Sequence, residues 1–139
     1  MQAALDRYAP LVARLFLSWL FLYSAYGKLT GFSGYAAYMG SKGMPFVPFF
    51  LAATIVLLVV GGVSVLLGFK ARIGSLPLLL FLLPTTLIFH NFWAFEGAEQ
   101  QTQLIQFMKN LAIMGGVLMV TAFGAGPLSL DARNTAPRA

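Results

Sequence analysis

The chain has 139 residues, 59% hydrophobic and 9% charged, with a mean hydropathy of +0.81 and a formal net charge of +5. A soluble domain carries about a quarter charged residues, so a water-soluble globule is all but excluded. The basic residues are scattered rather than clustered, which argues against a nucleic-acid surface, and the lack of cysteine excludes disulfides, thiolate metal sites and dithiol redox chemistry.

Residues 43–69, 73–95 and 110–130 contain no Asp, Glu, Lys or Arg. Each run reaches the about 20 residues that a helix needs to cross the hydrocarbon core of a bilayer. A first apolar stretch, 9–26, is interrupted only by Arg14. Ser24 and Tyr26 make a poor small-x-small cleavage site, so this stretch reads as a retained span rather than a leader. The connection over 28–47 is long. Within it Phe32, Tyr35, Ala36 and Met39 recur at helical spacing, which predicts a short amphipathic helix at the membrane surface, closed by Gly43 and Pro45. The second span is expected over 48–68, the third over 74–93 and the fourth over 104–124. A short basic turn with Lys70 and Arg72 joins spans two and three, and an acidic turn with Glu96 and Glu99 joins spans three and four. The tail 132–139 reads as disordered.

The expected fold is therefore all-α: one domain over 1–139, an integral membrane four-helix bundle with a short amphipathic helix in its first extracytoplasmic loop. Arg7, Arg14, Lys70, Arg72, Arg133 and Arg138 fall on the side of the termini, against Lys28, Lys42 and Lys109 on the other. Basic loops stay cytoplasmic, so both termini are expected inside. Lipid gives helices no hydrophobic drive to associate, so small residues should mark the contacts: Gly61, Ser64 and Gly68 in span two, Ala112, Gly115 and Gly116 in span four. Pro84 lies inside span three and is expected to kink it at the carbonyl of Leu80, with Thr85 or Thr86 satisfying the loosened backbone.

Two groups of polar residues call for explanation. Arg14 either snorkels to the headgroups or forms a structural ion pair with Asp131 on the same side. On the opposite side Tyr26, Lys28, His90, Asn91, Trp93, Gln106 and Lys109 gather at the span ends. Thr86, His90 and Trp93 would share one face of span three, and Gln103, Gln106 and Asn110 one face of span four. If those faces meet they make a polar pocket able to hold a quinone head group, whose carbonyls need donors such as His90 and Lys109. The plainer reading places Trp93 and Tyr26 in an aromatic belt, His90 in a structural hydrogen bond and Lys109 beside Glu96 or Glu99. A single histidine rules out a bis-histidine haem within one chain, and no metal site is expected.

The order of these features resembles the DoxX family of small four-span bacterial membrane proteins over nearly the whole chain. Arg14-Leu15-Phe16-Leu17, Tyr26-Gly27-Lys28-Leu29, Gly43-Met44-Pro45, Gly61-Gly62 and Leu67-Gly68 carry the resemblance first. Phe89-His90-Asn91-Phe92-Trp93, Lys109-Asn110-Leu111-Ala112 and Gly124-Ala125-Gly126-Pro127-Leu128-Ser129-Leu130-Asp131 follow in the same order. The resemblance implies a bacterial inner-membrane protein but little biochemistry; the family's names derive from a terminal quinol oxidase and thiosulfate:quinone oxidoreductase setting, and some relatives are linked to redox-stress complexes.

Three functions are compatible with these residues. The first is an accessory or anchoring subunit of a quinone-linked redox system; having no intrinsic cofactor, it is not expected to be an enzyme by itself and would borrow its redox centre from a partner or the quinone. The second is a small oligomeric transporter gated at Pro84, and the third a structural scaffold. The expected partners are the lipid bilayer and other proteins or further copies of the chain, with no nucleic acid.

Overall fold

The computed structural model describes residues 1–135 and places four helices long and apolar enough to cross a membrane. Helix α1 spans Gln2–Thr30, α2 Phe32–Ser41, α3 Val47–Leu67, α4 Ala71–Gly74, α5 Leu76–Phe89, α6 Gly97–Phe123 and α7 Leu130–Thr135. A 3-10 turn, Phe92–Ala94, follows α5, so α4, α5 and this turn together form the third crossing. The fold is a helical membrane bundle, as its charge-free runs predict.

Two of the helices, α1 and α6, overrun the apolar runs. At about 1.5 Å per residue α1 is some 43 Å long, well beyond the hydrocarbon core, and its exposed first turns project past the border. Nothing in Gln2–Tyr8 breaks a helix, so it continues into the aqueous layer. The same holds for α6, which begins at Gly97. The expected amphipathic helix is α2: Met39 is buried, Phe32 and Ala36 are half-buried, and Gly43 takes a positive φ of 75° in the turn that follows. Tyr35 folds α2 back on the end of α1, with its ring 4.9 Å from the Lys28 ammonium. The tail differs from expectation, because Leu130–Thr135 is helical. Ser129 starts it by accepting the backbone N–H of Ala132 at 3.1 Å. Residues 136–139 of the predicted tail lie outside the described residues.

Helix α3 is the centre of the bundle. Leu58, Gly61, Gly62 and Val65 are buried against α1 and α5, beside Phe21, Leu78 and Leu82. The two glycines permit this approach: a Cβ on Gly61 would lie 2.6 Å from Leu78, and one on Gly62 2.8 Å from Leu22. Gly115 on α6 has nothing within 4 Å of that position. Gly61→Ala is therefore expected to lower stability in detergent by about 1–3 kcal/mol through overpacking. Gly115→Ala is expected to be neutral or stabilising, since alanine is the better helix former by about 1 kcal/mol. Equal unfolding midpoints in a denaturant titration would contradict this packing.

Two polar pairs cross between α5 and α6, while the buried hydroxyl of Ser18 on α1 has no partner among the described residues. Ser75 meets Thr121 at 2.8 Å and donates to the carbonyl of Arg72, tying the start of α5 to α6. Thr86 donates to Leu82 at 2.6 Å and accepts from Asn110 at 3.0 Å. Thr86 thus serves the carbonyl one turn below itself rather than that of Leu80, and α5 stays helical through Pro84.

Candidate functional site

At the border carrying the termini, the turn after α3 forms a hub. Gly68 ends α3 at φ 62°, and Phe69 donates back to the carbonyl of Ser64 at 3.0 Å. Lys70, at φ 47°, holds a left-handed conformation uncommon for a side-chain-bearing residue. Asp131 secures it: its two oxygens accept the backbone N–H groups of Lys70 at 2.7 Å and Ala71 at 2.9 Å, while its own N–H donates to Gly68 at 2.8 Å. Arg14, only 2% exposed, donates through Nη2 to the carbonyl of Leu128. No direct bond joins Arg14 to Asp131 among the described residues. Arg14 and Asp131 belong to one hub, but the carboxylate is taken by backbone donors and the guanidinium by a backbone carbonyl. Backbone N–H groups at the start of α4 have no helical partner of their own, and they compete for the carboxylate.

At the opposite border the polar residues form a seam. His90 Nδ1 donates to Gln103 Oε1 at 2.9 Å, and Gln103 Nε2 donates to Glu99 at 2.8 Å. With Thr86–Asn110 one layer deeper, the polar faces of the third and fourth crossings do meet, but they satisfy one another. Helix α5 ends at Phe89, and His90 and Asn91 turn the chain before Phe92, whose N–H bonds the carbonyl of His90 at 2.9 Å. Trp93 consequently leaves the face shared by Thr86 and His90 and packs edge-on against Phe92 and Phe107. Lys109 and Tyr26 are exposed, and Gln106 and Asn91 half-buried, with the side-chain oxygen of Asn91 buried without a partner among the described residues. Lys28 bonds Ser24 at 2.8 Å and lies between the rings of Tyr35 and Phe81.

A cavity of about 650 Å³ opens beside this seam, beneath α2 and between α3 and α5. Met39, Lys42, Met44, Phe49, Phe50, Thr54, Phe81, Pro84, Thr85 and Phe89 are among its lining residues. The Lys42 ammonium stands at its mouth over the rings of Tyr38 and Phe95, at 5.7 and 5.1 Å. Phe81 separates it from Lys28. Sequence reasoning placed Lys42 on this side but gave it no role; the signal available was its position at the end of a surface helix followed by Gly43 and Pro45. Among the described residues no group of three or more His, Asp or Glu is placed to hold a metal ion.

Four apolar crossings, closed at one border by a charged hub and at the other by a polar seam beside an aromatic cavity, define a helical integral membrane protein. The chain belongs to the DoxX family, whose model matches residues 9–91. It is 38% identical over 127 residues to the inner membrane protein YqjF of Escherichia coli (strain K12), covering 91% of this chain and 92% of that one. The inner membrane protein YphA of the same organism is 31% identical over 123 residues, 88% of each chain. The ER-derived vesicles protein ERV29 of Saccharomyces cerevisiae is 35% identical over 78 residues, 56% of this chain and 25% of its own length. No solved structure matches the chain.

Proposed function

We propose that the chain is a multi-pass inner-membrane accessory subunit of a quinone-linked redox system, with both termini cytoplasmic, and that it receives the quinone head group in the cavity beneath α2. The observation that carries the reading is the cavity itself. Its volume of about 650 Å³ falls in the range of small-molecule sites, about 300–1,000 Å³. Aromatic walls from Phe49, Phe50, Phe81 and Phe89 suit a planar ring, and the Lys42 ammonium and the hydroxyls of Thr54 and Thr85 are donors for its two carbonyls. The apolar outer faces of α3 and α5 leave an isoprenoid tail in lipid. His90, Asn91, Trp93, Gln106 and Lys109 then shape the border next to the ligand rather than binding it. Electron transfer would fall to the quinone and to a partner's redox centre.

The test is quinone retained by protein purified from native membranes in mild detergent, quantified by mass spectrometry. Ala53→Trp, which fills the cavity, and Lys42→Ala are each expected to lower retention about tenfold, the equivalent of about 1.4 kcal/mol. His90→Ala and Lys109→Ala are expected to leave it unchanged. Retention insensitive to Ala53→Trp would remove the cavity as the site, and loss in the His90 and Lys109 variants alone would return the ligand to the seam.

A further inference from the structure

The border that carries the termini holds a groove which the quinone reading does not use. One half, of about 600 Å³, is lined by Lys70, Arg72, Phe123, Gly124, Gly126 and Asp131. The other, of about 580 Å³, shares Phe123, Gly124 and Gly126 and continues between α1 and α6 along Arg14, Leu17, Gly116 and Met119. The first half is charged and the second almost wholly apolar. Gly116 presents no side chain to the apolar half, and a Cβ there would reach ordinary contact with Leu17 at 3.4 Å. From Gly124 to Gly116 the groove follows about two helical turns, some 12 Å.

Charge along the groove is unbalanced. Arg72 is exposed, and the only hydrogen bond of its guanidinium among the described residues is a long one, 3.4 Å to the carbonyl of Phe123. Lys70 is exposed beside it. Arg14 adds a third cation in the groove wall, and its Nε and Nη1 are buried without an acceptor among the described residues. Among the described residues Asp131 is the one carboxylate lining either half, and both its oxygens are committed to backbone N–H groups. Surplus positive charge at the mouth of an apolar groove between membrane helices fits a ligand that is anionic at one end and hydrocarbon at the other.

We propose that this groove is a binding site for an anionic phospholipid: the phosphate lies against Arg72 and Lys70, and one acyl chain lies along α1 and α6 past Gly116 and Met119. Free phosphate would use only the charged half. A zwitterionic lipid would fill the apolar half but carry no net charge for the cations.

Native mass spectrometry of the full chain in detergent tests this, with dioleoyl phosphatidylglycerol, dioleoyl phosphatidylcholine and inorganic phosphate as probes. Phosphatidylglycerol is expected to bind in preference to phosphatidylcholine. Arg72→Gln and Lys70→Gln should each weaken it about fivefold, as expected for one basic residue near a lipid surface, while Arg72→Lys retains most of the binding. Met119→Trp should weaken both lipids together. Arg7→Gln, a basic residue on the exposed first turns, should change nothing. Equal binding of the two lipids would overturn the proposal, as would phosphatidylglycerol binding unaffected by the Arg72 and Lys70 variants. Full competition by inorganic phosphate would overturn it too, by reducing the site to an anion site. Thermal melting of each variant without added lipid separates lost binding from lost folding.

Discussion

Gly68→Ala is expected to destabilise the bundle by about 2–5 kcal/mol, combining about 1–2 for a left-handed alanine with about 1–3 for overpacking. Gly68 holds φ 62°, and its missing side chain leaves the space into which the Arg14 guanidinium and Ser129 pack, with Ala125 2.9 Å from where a Cβ would stand. None of these neighbours can withdraw cheaply. Arg14 is held by the carbonyl of Leu128, and Ser129 by its bonds to Gly126 and Ala132 at 2.6 and 3.1 Å. Gly43→Ala provides the comparison. Gly43 has φ 75° but nothing within 4 Å of a Cβ, so it should show the backbone cost alone, about 1–2 kcal/mol. Denaturant titration of both variants in detergent checks the claim, and equal losses at the two positions would mean that the hub is not closed around Gly68.

The crossings were legible because lipid imposes a stringent demand on sequence: a charge within the core is costly, so uncharged runs mark it. Helix ends were not legible in the same way. Beyond the border the backbone can bond to water, so a helix such as α1 continues or one such as α5 stops according to local turns rather than hydropathy. That difference decides the candidate site. Had α5 run on to Trp93, the residues on its face would have lined a pocket with Gln106 and Asn110. Instead the turn at His90 and Asn91 diverts Trp93 to Phe107 and leaves His90 bound to Gln103. The cavity beneath α2 was invisible for another reason: it depends on how a surface helix folds back over α3 and α5, a contact between segments far apart in the chain. Arg14 and Asp131 could be named from their side of the membrane. Their hydrogen-bond partners could not, because those are backbone groups at Leu128, Lys70 and Ala71 and carry no side-chain signature.

Asp131→Ala is expected to cost about 2–4 kcal/mol, because it removes the acceptor for two charge-assisted hydrogen bonds and leaves the N–H of buried Ala71 unpaired. It also withdraws the negative charge nearest to a buried arginine, and an uncompensated buried charge is itself strongly destabilising. Asp131→Asn separates the two effects: the amide keeps one acceptor oxygen but no charge, and a loss of about 1–2 kcal/mol is expected. A double-mutant cycle with Arg14→Met then decides how the hub works. If the carboxylate offsets the arginine through space, the two substitutions should couple by about 0.5–3 kcal/mol, with the pair less destabilising than the sum. If Asp131 serves only the turn at Lys70 and Ala71, the losses should add. Coupling is the expected outcome, because Arg14, Gly68 and Asp131 share one packed site: Gly68 touches the guanidinium, and its carbonyl accepts the N–H of Asp131.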